Sequence, residues 1–350
     1  MAYKDIKFAV SLYSYQDNYY FKRLDFEGAI AAAAGSGAEG IEVLGDTMIP
    51  EWPYISDEFA DRFVGLQYRY GVKGVCFEHW SDRAMWKNKQ LTDDEMFERG
   101  VMYIKAAKKL GIPMVKLLHE EHIGPKAIAG YKLTDYGIIE RLLPVAADLG
   151  VTLALEVHTH DGVGADYQQK YIELAEKTNL PFLGLAPDFS TFSYCMSTAD
   201  IVDYTSRGAQ KEILEFFRSK QRGAYFANVP FVYEAVSAEI EKMRPNDVTK
   251  QAIQFSMHMI GRKPPFDKLF KDLKDLASKL VYVHAKFYDL DENDCPDDMD
   301  YPRIFKALKE GGYKGYVASE FEGNRRMNMA GWVDEIEYVR RHQAYMRSLL

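Results

Sequence analysis

Four residues far apart in the chain offer the clearest chemistry: Glu156 in TLALEVH, Asp188 in FLGLAPDFS, His284 in VYVHAKF and Glu320 in YVASEFEG. Each sits near the end of a short apolar run of β-strand length. Side chains alternate between the two faces of a strand. In residues 152–158, Leu153, Leu155 and Val157 share one face, while Thr152, Ala154, Glu156 and His158 share the other. The same alternation sets Gly184, Ala186 and Asp188 against Leu183 and Leu185, and Tyr282, His284 and Lys286 against Val281, Val283 and Ala285. In the last run Tyr316, Ala318, Glu320 and Glu322 oppose Val317 and Phe321. Three carboxylates aimed at one point repel each other, and a divalent cation removes that cost. Three carboxylates with one imidazole form an oxygen-rich set. It suits Mn2+ or Mg2+ better than a structural zinc, with Co2+ and Zn2+ as further occupants. Singly, these residues have plainer uses: Asp188 as a cap before Phe-Ser-Thr, His284 as a hydrogen-bonded core histidine. The parity they share is what points to an ion.

Around this set stand residues with two readings each. His158 shares the face of Glu156 and is either a general base or a partner behind the ligands. Lys286 shares the face of His284 and either binds a substrate oxygen or pairs with a neighbouring carboxylate. Glu42, His79 and His119 end other strands and are candidate pocket walls; His160 falls in a loop, where a solvated side chain is the simple account. Arg325 and Arg326 follow the last strand and either clamp an anionic group or lie solvated.

The elements that must position these groups alternate along the chain. Strands are expected at 6–12, 40–45, 74–79, 114–119, 152–158, 182–188, 281–287 and 316–321, each followed by a helix. Gly stops several helices just before the next strand, as in KLGIPMVKLL and DLGVTLALEV. Such alternation predicts a parallel sheet with right-handed crossovers, and eight units predict closure into an α/β (β/α)8 TIM barrel. An open doubly wound sheet would want a glycine-rich phosphate turn after the first strand, and SLYSYQDNYY has none. The expected organisation is one domain over residues 1–350. A long, partly helical insertion after strand six, about 190–263, is expected over the barrel mouth; helical patterns within it cover 199–218 and 232–243.

Composition narrows the function. With 47% hydrophobic and 27% charged residues the chain can bury a full core. A net charge of −8 argues against nucleic acid as the main ligand, which would need a basic face. The three cysteines, Cys76, Cys195 and Cys295, form no paired motif and fit a reducing compartment. No secretory pattern opens the chain and no apolar run spans a bilayer, so a cytoplasmic, membrane-free protein is expected.

The segments LALEVH, LAPDFS, VYVHAKFYD and VASEFEG resemble the xylose isomerase-like TIM barrel superfamily of sugar phosphate isomerases and epimerases, over nearly the whole chain apart from the insertion. The resemblance implies that Glu156, Asp188, His284 and Glu320 hold Mn2+ or a similar ion. It further implies proton abstraction next to a carbonyl, with Glu156, Glu320 or His158 as the catalytic group; by their places at or after strand ends, Lys286, His119, Glu42 and Arg325 are candidate substrate contacts. EVLGDTMIPEWP and YVRRHQ resemble, more narrowly, the catalytic α subunits of bacterial C-glycoside deglycosidases. Those enzymes cleave the C–C bond of 3-oxo-C-glucosides and work with a small β subunit. That likeness implies an aryl C-glycoside substrate and lyase chemistry; the alternative is a sugar or sugar-phosphate isomerase or epimerase. The long aromatic insertion departs from the shorter isomerases and suits an aglycone, a partner subunit or a self-packed helical lid. A DNA-repair endonuclease of the same fold would want many histidines and a basic groove, against eight histidines and an acidic balance here. A metal-free binding or scaffold subunit is the remaining class.

Overall fold

The computed structural model describes residues 5–81, 89, 91–119, 135–158, 162–260, 265–324 and 333–350. Eight strands run in parallel: β1 (Lys7–Ser11), β2 (Gly40–Leu44), β3 (Lys73–Ser81), β4 (Met114–His119), β5 (Thr152–Val157), β6 (Leu183–Pro187), β7 (Val283–Phe287) and β8 (Tyr316–Phe321). The ladder runs β6-β5-β4-β3-β2-β1-β8-β7. Its two ends meet through the parallel bridges Leu185–Leu280 and Asp188–His284 and a 3.0 Å bond from Val281 N to Leu185 O. The sheet therefore closes as a (β/α)8 barrel, as the alternation predicts.

Strand periodicity explains the layers. Outward residues such as Val43, Val115, Leu155, Leu185, Val283 and Phe321 pack under the helices in the main apolar core. Inside the barrel lies a smaller cluster that includes Ala9, Cys76, Ala154, Ala186, Tyr282 and Ala318. Small side chains there leave room for long polar ones at higher levels of the same strands. Gly111 and Gly150 adopt φ of 69° and 66° just before β4 and β5, the left-handed turn that favours glycine.

Between β6 and the helix Phe266–Asp275 the described residues of the insertion form, after a short 3-10 turn at Phe189–Phe192, the α-helices Thr198–Ser206, Lys211–Phe226, Glu234–Lys242 and Asp247–Ile260. The helical pattern at 199–218 is thus divided, at Gly208, whose φ of 99° ends the first helix. The insertion has its own apolar cluster, with Ile213, Leu214, Phe217, Ile240, Ala252 and Ile253. Polar contacts tie it to the loop after β7. Arg218 meets Asp297 at 2.6 Å, the Tyr225 hydroxyl donates to Asp300 at 2.7 Å, and Tyr194 N donates to Asp298 O at 2.9 Å.

Candidate metal centre

Register brings the four sequence-selected groups together. Asp188, just past β6, bridges to His284 on β7; His284 pairs with Ala318 and Lys286 with Glu320 across β7 and β8; Glu156 on β5 faces Ala186 on β6. All four side chains are buried, and one donor atom from each lies within 4.8 Å of the others. His284 Nδ1 stands 3.0 Å from Glu320 Oε2, 3.1 Å from Glu156 Oε1 and 4.0 Å from Asp188 Oδ2.

Three of these atoms are chemically unusual. Asp188 Oδ2, His284 Nδ1 and Glu320 Oε2 are buried without a well-aligned hydrogen bond and meet charged groups of the centre instead, Lys286 Nζ at 2.9 and 3.3 Å from the two oxygens and Glu320 Oε2 at 3.0 Å from the imidazole nitrogen. Buried polar atoms ordinarily have aligned partners, and their shared direction is what a cation would satisfy. On Asp188 and His284 the opposite edges are taken. Asp188 Oδ1 accepts from Ser190 N at 2.7 Å, so the cap expected of this residue is present on one oxygen while the other faces the cluster. His284 Nε2 lies 2.9 Å from Glu42 Oε2, and Ser11 Oγ donates to Glu42 Oε1 at 2.7 Å. A carboxylate behind the imidazole holds a proton on Nε2, so that loss of the Nδ1 proton would leave that lone pair for a ligand role. Glu42, read as a pocket wall in sequence, thus has both oxygens engaged behind His284.

Two buried ammonium groups complete the centre. Lys286 Nζ lies 2.9 Å from Asp188 Oδ2, 3.3 Å from Glu320 Oε2, 3.5 Å from Glu322 Oε2 and 3.0 Å from His158 Nε2. Of the two uses open to Lys286, the structure shows the carboxylate pairing. Lys116 Nζ, on β4, lies 2.9 Å from Glu156 Oε2 and 3.3 Å from Glu78 Oε1. Lys116, Glu78 and Ser11 were missed in sequence. The available signal was parity: a charged residue inside an apolar run such as MVKLLH must face inward or break the core.

The electrostatics follow from burial and these partners. Burial lifts the Asp188 carboxyl to about 7 against the pull of Lys286, and lifts Glu78 to about 8 against Lys116. Burial would raise Glu156 too, but the Lys116 ammonium and His284 hold it well below the usual carboxylate range. For His284 burial is outweighed by the Glu320 and Glu42 carboxylates, which raise it well above the ordinary histidine value. Burial and the adjacent Lys286 push His158 down to about 3, so it is neutral.

Of the other sequence candidates, His79 is buried, with its ring 4.0 Å from that of Tyr103, away from the four-residue cluster. The side chain of His119, together with His160, Arg325 and Arg326, lies outside the described residues.

A closed eight-stranded barrel with this donor set defines a class, and comparison gives its name: the family model described as xylose isomerase-like TIM barrel matches residues 30–342, and the chain belongs to that family. Among curated proteins it is similar to the C-glycoside deglycosidase alpha subunit of Microbacterium trichothecenolyticum, 27% identical with 97% of this chain and 89% of the relative covered. It is likewise 26% identical to the 3'-dehydrocarminate deglycosidase alpha subunit of a Microbacterium species, with 91% and 88% covered. These full-length relatives are enzymes. Solved structures share the fold. A sugar phosphate isomerase/epimerase from Parabacteroides distasonis aligns with TM-score 0.54 at 15% identity, covering 99% of this chain and 95% of that one. A xylose isomerase-like barrel protein from Mycobacterium smegmatis in complex with magnesium aligns with TM-score 0.54 at 12% identity, covering 98% and 96%. No helix among the described residues is long and apolar enough to cross a membrane.

Proposed function

We propose that this chain is a metal-dependent C–C lyase acting on 3-oxo-C-glycosides, the catalytic α subunit of a C-glycoside deglycosidase that works with a small β subunit. The observation that carries the metal centre is the convergence of one buried donor atom each from Glu156, Asp188, His284 and Glu320 within 4.8 Å of one another. The near full-length likeness to deglycosidase alpha subunits supports the substrate class. Glu156, Asp188, His284 and Glu320 hold the ion, and the oxygen-rich set favours Mn2+. A bound divalent ion supplies Lewis-acid stabilisation of the charge that develops on substrate oxygens as a C–H proton leaves.

The side chains around it handle the proton. His158 is neutral and able to accept one, but its Nε2 receives Lys286 at 3.0 Å. Turning the Lys286 ammonium onto Glu322, already 3.5 Å away, or onto a substrate oxygen exposes Nε2 and removes the nearest positive charge. Both changes raise the basicity of His158 toward the working range of a general base. In the deglycosidase reaction the base takes the C2 proton of the 3-oxo sugar. The C–H electrons become the C1–C2 double bond, the C1–aryl bond breaks, and the aryl carbon takes a proton. The helical insertion sits over the mouth of a single domain and covers the aglycone.

The decisive test incubates Mn2+-loaded protein, with and without its small subunit, with a 3-oxo-C-glucoside and with free ketoses. Aglycone release supports the lyase; a rearranged ketose with no aglycone supports an isomerase or epimerase of the same family instead. The variant His158→Ala is expected to keep the ion and lose exchange of the substrate proton in deuterated water. Wild-type exchange in that variant would remove His158 from the reaction.

A further inference from the structure

The ligand atoms of Glu156 are not equivalent, and the cause lies on a strand that contributes no ligand. Lys116 sits mid-strand on β4 and is 1% exposed. Its register partners are Glu78 on β3 and Ala154 on β5. Ala154 precedes Glu156 by two residues, about 6.6 Å along a strand, so Lys116 starts one inward level below the ligand and reaches up to it. The small Ala154 side chain leaves space for that stem, and both ends of the contact are fixed. Nζ meets Glu156 Oε2 at 2.9 Å and Glu78 Oε1 at 3.3 Å. Glu156 Oε1 is left on the side of His284, at 3.1 Å.

We propose that Lys116 is an ion-selecting positioning residue: by engaging Oε2 of Glu156 it restricts this ligand to one oxygen, and so disfavours ions that require chelating carboxylates. The inference rests on the metal centre proposed above. Ions with small octahedral shells, such as Mg2+, and also Mn2+, accept single carboxylate oxygens. Ca2+ takes six to eight oxygens and commonly draws both from one carboxylate. A Glu156 held on one side by a buried ammonium cannot rotate to offer both without giving up the 2.9 Å contact and leaving Lys116 with Glu78 alone in the core, which is unfavourable. Asp188 is held in the same sense by Ser190 N on Oδ1, so two of the three carboxylates are presented by one edge. Selection against Ca2+ thus originates on β4, outside the ligand set.

The test measures Mn2+ and Ca2+ dissociation constants by calorimetry, and the Mn2+ electron paramagnetic resonance spectrum, for the wild type, Lys116→Met and Glu78→Gln. Methionine keeps most of the stem and loses the donor. Partners behind metal ligands commonly change affinity roughly 10–100-fold. The expected result is that Lys116→Met narrows the Ca2+/Mn2+ preference by about tenfold and changes the Mn2+ spectrum, while Glu78→Gln, which leaves the Lys116–Glu156 contact, keeps both near wild type. An unchanged preference and spectrum in Lys116→Met overturns the inference and leaves the metal centre standing. A wild type that binds neither ion overturns the metal centre itself and this inference with it. Should Lys116→Met fail to fold, the double variant Lys116→Met/Glu78→Leu replaces the buried pair with apolar groups and is read by the same ratio.

Discussion

The two halves of the barrel carry charge in different ways. β5 to β8, with the residues just beyond them, present Glu156, Asp188, His284 and Glu320 toward one point. β1 to β4 present Ser11, Glu42, Glu78 and Lys116, whose contacts run outward to the first group: Ser11 to Glu42 to His284, and Glu78 to Lys116 to Glu156. One half gathers the candidate ligand atoms, while the contacts of the other run to their far edges. Carboxylates gathered in a low-dielectric interior cost stability unless a cation offsets them. The supporting half lowers that cost by fixing which edge of each ligand faces inward.

This division is sharpest when broken from the ligand side. Replacing His284 with alanine should abolish stoichiometric metal binding in elemental analysis, with activity falling on the order of a thousandfold or more as several kcal/mol of charge stabilisation is lost. Retained metal and turnover would dissolve the distinction between the halves. Breaking it from the supporting side should do less. Glu42→Gln keeps a side chain behind His284 but removes its charge, and metal affinity should weaken roughly 10–100-fold by calorimetry, with residual activity at saturating ion. A loss as complete as that of His284→Ala would place Glu42 among the ligands.

Protons sharpen the comparison further. Without an ion the ligand half holds protons: His284 is raised by Glu320 and Glu42 against burial, and Asp188 is lifted by burial to about 7. Metal must displace them, so affinity should rise with pH through about 7 and weaken below it. Calorimetry at pH 6 and pH 8 in buffers of different ionisation enthalpy, which reports the released protons, checks this; a pH-independent affinity with no proton release would contradict it.

A separate effect, on stability rather than on the centre, is expected in the loop after β7. Asp298 is buried, accepts from Ser193 Oγ at 2.9 Å and is pushed by burial up to about 8. Its folded value lies above the unfolded one, near 3.9, so the folded state holds the proton more tightly and stability falls as pH rises from about 4 to about 8. The slope from this group is at most about 1.4 kcal/mol per pH unit. Asp298→Asn resembles the protonated acid, and urea unfolding at pH 5 and pH 8 should show a shallower fall than in wild type. An equal fall in both proteins would assign it to other groups.

The reach of the sequence differs between the same two halves. In β5 to β8 each ionisable residue stands near a strand end among small or apolar neighbours, and the two-residue period alone shows that Glu156, His284 and Glu320 share an inward face. The strand–helix alternation and glycine stops likewise made the barrel legible, because they are local and repeated. Strand limits were less so: β7 begins at Val283 rather than 281, since Val281 joins the barrel only through its bond to Leu185 O. Parity could mark Glu42, Glu78 and Lys116 as inward, but not what they meet. Lys116 reaches Glu156 across 40 positions and Glu42 reaches His284 across 242, and such partners depend on strand register and on the staggered levels of a closed barrel. The sequence by itself determined which residues face the axis, because side-chain alternation is a property of each strand alone. Only the closed tertiary structure decided which of them touch, because closure sets the height of each strand against its neighbours and so the distances between charges.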